Sequence, residues 1–217
     1  MDDLEQKKQQ LADCIRMLES SDIIDYNGHA SFRGDGETLH INIGSCQRSQ
    51  LRAKDICQID FAGNLLAGDG NPPLEFHLHA GIYRARPEVN AIVHAHPKWS
   101  TFLTMVGVDY LPVFAQGSLV YPVPVLDTPD SINNPKMSDR LNQILGDRPA
   151  ALMKSHGAVT VGASITEAFV LINYLEENAH RQHMAMQIGK PYCFSDAHFH
   201  SDLNFYTHFE CETPQYS

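Results

Sequence analysis

The run Asn90-Ala91-Ile92-Val93-His94-Ala95-His96 constrains this chain more than any other segment. Its apolar residues predict a buried strand. Alternate residues of a strand share a face, so His94 and His96 direct two imidazoles the same way. Polar rings at the end of a buried strand cost roughly 1–3 kcal/mol each when left without partners. One metal ion chelated by both would meet that demand. Ordinary core or surface histidines with hydrogen-bond partners are the alternative that His-x-His spacing alone leaves open. His156, between an apolar run and Gly157, can present a third ring at a strand end. Glu75 follows Pro72-Pro73 at the start of a predicted helix. There its charge suits the helix dipole, and a carboxylate beside such a site can bind the ion or move protons.

The rest of the chain alternates helix-like and strand-like patterns. Residues 3–19 put Leu4, Leu11, Ile15 and Leu18 on one face of an amphipathic helix. Residues 25–44 carry short β-prone runs cut by Gly28, Gly34, Gly36 and Gly44, which predicts hairpins with a turn at Asp35-Gly36. A strand over residues 56–60 leads to a helix from Leu74 to about Arg86, and a further helix is expected from Pro97 to about Val106. Pro122 and Pro124 limit the run from Tyr121 to Asp127 to an edge or irregular strand. A short helix over 138–146 precedes two strands around a turn at His156-Gly157. Ser164 and Glu167 have capping-box spacing at the head of the longest helix, which Gly189-Lys190-Pro191 ends. Together these patterns predict one domain over residues 1–217, with an irregular tail from about residue 194.

Composition narrows the partners. A formal charge of −10 with 16 Lys and Arg argues against a nucleic-acid surface, and no apolar stretch approaches the length needed to cross a membrane. The first residues resemble no signal peptide, so a cytoplasmic location is expected. Five cysteines without Cys-x-x-Cys spacing point to reduced thiols. Twelve histidines send the search towards metal or proton chemistry. Of the others, His77 and His79 would point apart on a helix, His180 and His183 share a helical face among exposed polar residues, and His198 and His200 fall in the tail. All six read as structural or solvent-facing, with a buried contact left open for His79.

The segments PPLEFHLHAGIYRARPEVNAIVHAHP (72–97) and MKSHGAVTVGASITEAF (153–169) resemble the class II aldolase/adducin family. The likeness runs from the first helix to about Pro191. It implies a three-layer α/β/α fold around a mainly antiparallel sheet, a homotetramer with active sites at subunit boundaries, His94, His96 and His156 as ligands of Zn²⁺ or Mn²⁺, and Glu75 as the acid/base. The sugar-phosphate aldolases of the family carry Gly-Asn, Thr-Gly and Ser-Ser pairs that hold phosphate. This chain has Gly28-His29, Gly44-Ser45 after Ile43, and Pro73-Leu74 in the corresponding places. The segments GHASFR and LEFHLHAGIYRARP are more similar to the branch that decarboxylates hydroxylated aromatic acids.

The expected activity is therefore a metal-dependent carbon–carbon lyase that decarboxylates a small, anionic hydroxy-aromatic or keto acid. His29, Ser31, Ser45 and Arg48 are the candidates to orient the substrate. An aldolase acting on an unphosphorylated hydroxy-keto acid or sugar-derived substrate is one alternative, and a non-catalytic metal-stabilised interaction module is another. Three imidazoles and a carboxylate also suit Co²⁺ or Fe²⁺.

Overall fold

Leu11, Ile15 and Leu18 recur on one face of the first helix and all three are buried, so α1 (Asp3–Ser20) docks one apolar stripe on the body of the protein. The structure is a computed structural model in which residues 3–194 are described. Two hairpins follow α1, built from β1 (His29–Arg33), β2 (Thr38–Asn42), β3 (Ile56–Asp60) and β4 (Leu65–Ala67). The turn between β1 and β2 places Gly36 at φ +61°, a backbone conformation that suits glycine. Then come α2 (Phe76–Ala85), β5 (Ala91–Ala95), α3 (Lys98–Met105), β6 (Val125–Leu126), α4 (Pro135–Leu145), β7 (Ala150–Met153), β8 (Gly157–Gly162) and α5 (Ile165–Ile188).

The eight strands form one sheet in the order β4-β3-β2-β1-β5-β8-β7-β6. Every pairing is antiparallel except that of β6 with β7. The two-residue β6 occupies the edge, where Pro122 and Pro124 remove no ladder hydrogen bond from a central strand. Strand alternation sorts the side chains into two cores. Ala91, Val93 and Ala95 of β5 join a cluster with residues of α1, α3 and α5, whereas Ile92 joins a second cluster with Leu78 and Ile82 of α2 and Leu141 and Leu145 of α4. The sheet is thus a middle layer with helices on both sides, the three-layer arrangement that the family resemblance implies.

Helix boundaries depart from expectation in two places that matter. The second helix starts at Phe76, with Glu75 as its N-cap residue, rather than at Leu74. The fourth helix starts at Pro135 rather than 138, because the Asn134 side chain accepts from the Met137 N–H and Pro135 fits the first turn. Ser164 caps α5 by accepting from Glu167 N–H at 3.1 Å, while the Glu167 carboxylate reaches back to Ala163 N–H, one residue short of a capping box. The expectation of an irregular tail falls almost wholly outside the described residues, as do His198 and His200. Cys14, Cys46, Cys57 and Cys193 are free thiols. Among the described residues no helix is long and apolar enough to cross a membrane.

Candidate metal centre

Four elements bring the chemistry together. His94 sits opposite His29 across the antiparallel β1–β5 pair, so both side chains leave the sheet on the face covered by α2. His96 follows β5 by one residue and keeps the same direction. His156 lies in the turn between β7 and β8, and Glu75 stands at the head of α2. Distant in sequence, Glu75, His94, His96 and His156 each offer a ligand atom, and these atoms all lie within 4.8 Å of one another.

Hydrogen bonds on the far side of two rings fix which nitrogen faces inward. His94 Nδ1 lies 3.0 Å from the Ala158 carbonyl oxygen, and His96 Nδ1 lies 2.9 Å from Asp25 Oδ1. Both partners are acceptors, so each Nδ1 carries the hydrogen and each Nε2 presents a lone pair inward, the orientation a metal ligand needs. His94 Nε2 and His96 Nε2 are buried and have no hydrogen-bond partner. Two orphaned imidazole nitrogens converging with a third ring and a carboxylate fit a divalent cation by donor type and position. Gly157 makes this closeness possible, because a Cβ there would strike the Ala95 carbonyl oxygen and approach His96 Cδ2 to 2.8 Å.

The Glu75 carboxylate is gripped at both oxygens. Oε1 accepts from Ile132 N–H at 2.7 Å and lies 3.7 Å from His156 Nε2, and Oε2 lies 3.5 Å from His94 Nε2 and 3.7 Å from His29 Nε2. Burial opposes its ionisation, but the His29 and His94 imidazoles outweigh burial and hold Glu75 well below the usual carboxylate range. Burial and the neighbouring His94 push His29 down to about 4, against the pull of Glu75. His96 and His156 are lowered by burial, with His94 adding to the effect. Neutral rings beside an ionised carboxylate are the protonation states in which these groups bind a cation.

A cleft of about 920 Å³ opens onto this cluster. Of the predicted substrate contacts, His29, Ser45 and Arg48 line it. Ser31 does not. It lies behind His29, fully buried, between His79 and Tyr83. Arg48 also spends much of its guanidinium on the backbone, with Nε donating to the Gly28 carbonyl at 2.7 Å and Nη1 to the Cys46 carbonyl at 2.6 Å. Sequence reasoning missed Asp25, which lines the cleft, orients His96 and accepts from Asn27 and Gly28 N–H. The available signal was Asp25-x-Asn27-Gly28, an Asx-turn pattern. His77 and His79 do diverge: His77 packs against Phe76, while His79 is buried against His29. His180 and His183 are not simply among exposed polar groups. Both pack on Trp99, at 4.4 and 4.9 Å between ring centroids, because their face of α5 meets α3.

Comparison with known proteins places the chain among relatives of one fold. An L-fuculose phosphate aldolase from Methanococcus vannielii is 27% identical over 186 residues, covering 82% of this chain and 95% of the relative. A 3,4-dihydroxyphthalate decarboxylase from Terrabacter sp. is 30% identical over 181 residues, covering 75% of this chain and 74% of the relative. The solved L-fuculose 1-phosphate aldolase from Glaciozyma antarctica superposes with a TM-score of 0.79 at 22% identity, over 89% of this chain and 78% of that one, which speaks for a shared fold. Residues 9–183 match the family described as Class II Aldolase and Adducin N-terminal domain, and the chain therefore belongs to the class II aldolase/adducin family.

Proposed function

We propose that this protein is a divalent-metal-dependent carbon–carbon lyase that decarboxylates a small hydroxy-aromatic or keto acid. In this reading His94, His96 and His156 hold the ion, Zn²⁺ or Mn²⁺ by resemblance, with Co²⁺ or Fe²⁺ equally suited to the donor set. When bound, the ion supplies the positive charge that steadies electron density released as the carbon–carbon bond breaks. Glu75 holds or moves the proton. Its Oε1 is pinned by Ile132 N–H, so Oε2 is the atom to take the proton of a substrate hydroxyl and pass it to the carbon that loses its carboxylate. His29, Ser45 and the cleft face of Arg48 receive the acid and hydroxyl oxygens of the substrate.

The observation that favours decarboxylation is the lip formed by Pro72, Pro73 and Leu74. Two of these residues have no backbone N–H, and Leu74 stands 83% exposed at the cleft. A phosphate would meet no hydroxyl and few amides on this lip, whereas the flat apolar face of an aromatic acid would cover Leu74. The decarboxylase among the relatives supports the same reading. Aldol cleavage of an unphosphorylated hydroxy-keto acid is the second reading, supported by the aldolases among the relatives and by the same need to hold an enolate-like anion. The reading includes a homotetramer, supported by the family resemblance. Metal-loaded protein offered a panel of hydroxy-aromatic acids and of hydroxy-keto acids separates the two reactions. CO₂ from the first group upholds decarboxylation; aldehydes from the second with no CO₂ from the first would overturn it.

A further inference from the structure

Behind the cleft wall runs a file of four buried polar side chains. His29 Nδ1 lies 2.7 Å from His79 Nε2, His79 Nδ1 lies 2.6 Å from Ser31 Oγ, and Ser31 Oγ lies 2.8 Å from the Tyr83 hydroxyl. All four residues are at most 1% exposed. The file joins β1 to α2: His29 and Ser31 are alternate residues of the strand, and His79 and Tyr83 are one turn apart on the helix. Its cleft end is His29 Nε2, which has no hydrogen-bond partner and lies 3.7 Å from Glu75 Oε2.

Each of the three contacts holds one hydrogen, so with both rings neutral the arrangements fall into two families, set by which nitrogen of His79 carries the hydrogen. In one, the Tyr83 hydroxyl donates to Ser31, the Ser31 hydroxyl donates to His79 Nδ1, His79 Nε2–H donates to His29 Nδ1, and His29 carries its own hydrogen on Nε2, towards the cleft. In the other, His29 Nδ1–H donates to His79 Nε2, His79 Nδ1–H donates to Ser31, and only one of the Ser31 and Tyr83 hydroxyls can donate to the other. One of the two hydroxyl hydrogens then has no acceptor among the described residues, since the Ser31 and Tyr83 hydroxyls have no further acceptor there, and the bare His29 Nε2 lone pair faces a carboxylate oxygen. A buried hydroxyl without an acceptor and a lone pair set against an anion both disfavour the second arrangement.

We propose that Tyr83, Ser31 and His79 act as positioning residues that lock His29 as the neutral Nε2–H tautomer, making it a hydrogen-bond donor to an anionic oxygen of the substrate beside Glu75. Ser31 thus serves the substrate through His29 and not by contact. Relative to a protonated imidazole, a neutral donor leaves the charge of the centre unchanged while still favouring an oxygen on which charge grows. The donor role rests on the lyase reading above; the tautomer does not.

The test is a long-range nitrogen–proton NMR correlation of zinc-loaded protein labelled in histidine, with the His29 signals assigned by their loss in His29→Gln. The expected spectrum has hydrogen on His29 Nε2 and none on Nδ1. Removing the donors with Ser31→Ala and Tyr83→Phe together is expected to lower the Nε2–H to Nδ1–H ratio roughly tenfold, the effect of one net hydrogen bond. The same pair is expected to lower kcat with little change in KM. Hydrogen on Nδ1 in the unsubstituted protein would overturn the proposal, and that spectrum decides it even if the double variant fails to fold. An unchanged ratio in a folded, zinc-bound double variant would remove the relay. Because the spectrum needs no turnover, absence of CO₂ release would sink the lyase reading without touching the tautomer.

Discussion

Asp25 Oδ1 lies 2.9 Å from His96 Nδ1, across 71 positions of sequence, and so turns the other nitrogen of that ring towards His94, His156 and Glu75. A carboxylate behind a ligating histidine fixes its tautomer and raises its basicity, and losing one typically costs about 10–100-fold in metal affinity. Asp25→Asn retains an acceptor and loses the charge, so metal affinity is expected to fall towards the lower end of that range, with Asp25→Ala nearer the upper end. Competition with a chelator of known affinity measures both. Unchanged affinity in Asp25→Ala would show that His96 needs no such support.

Gly157 tests the packing beneath the site. An added methyl would collide with the Ala95 carbonyl and crowd His96, on two strands held by the β5–β8 pairing. Gly157→Ala is expected to destabilise the protein by about 1–3 kcal/mol, the usual range for forced overpacking, and to weaken metal binding together with stability. Chemical denaturation and metal content, measured side by side, check the two effects.

Much of this site was legible because it depends on short-range periodicity. The strand period puts His94 and His96 on one face, and the glycine after His156 marks a turn at the same sheet end. The antiparallel ladder then brings His29 against His94, which no local pattern in β1 announces. Ser31 shares the face of His29 by the same period, yet α2 covers it, so a residue expected in the cleft is buried. Glu75 was found, but its setting was not: its carboxylate turns to Ile132 N–H instead of capping its own helix. Asp25 stayed hidden because its partner is tertiary. An Asx turn can be read from Asp25 to Gly28, but nothing in that turn names a histidine one residue past the end of β5.

The histidines also set an acid sensitivity for the metal-free protein. Burial pushes both His29 and His40 down to about 4, with the neighbouring His94 adding at His29 and Lys8 adding at His40. Between about pH 6.5 and 4 the unfolded chain therefore binds protons that the folded chain does not, so stability rises with pH across that window and is lost as pH falls. Each such group contributes roughly 1.4 kcal/mol per pH unit inside the window. Thermal unfolding of chelator-treated protein is expected to show a falling Tm from pH 7 to pH 4. A flat profile would mean that neither ring is held neutral.

Glu75→Gln separates binding from proton movement. The amide oxygen can still accept from Ile132 N–H, so the fold and most of the metal are expected to remain. Turnover is expected to fall about 100-fold or more if Glu75 transfers the proton. Full activity in a metal-replete Glu75→Gln protein would exclude the carboxylate from the reaction.

The most direct test is metal stoichiometry set against activity in the native protein and in His94→Ala, His96→Ala and His156→Ala. One divalent ion per chain, lost together with carbon–carbon cleavage in every variant and restored in the native protein by adding metal after chelation, is the expected result. Full metal occupancy in His156→Ala, or cleavage that survives complete removal of metal, would contradict a single centre built from these three rings.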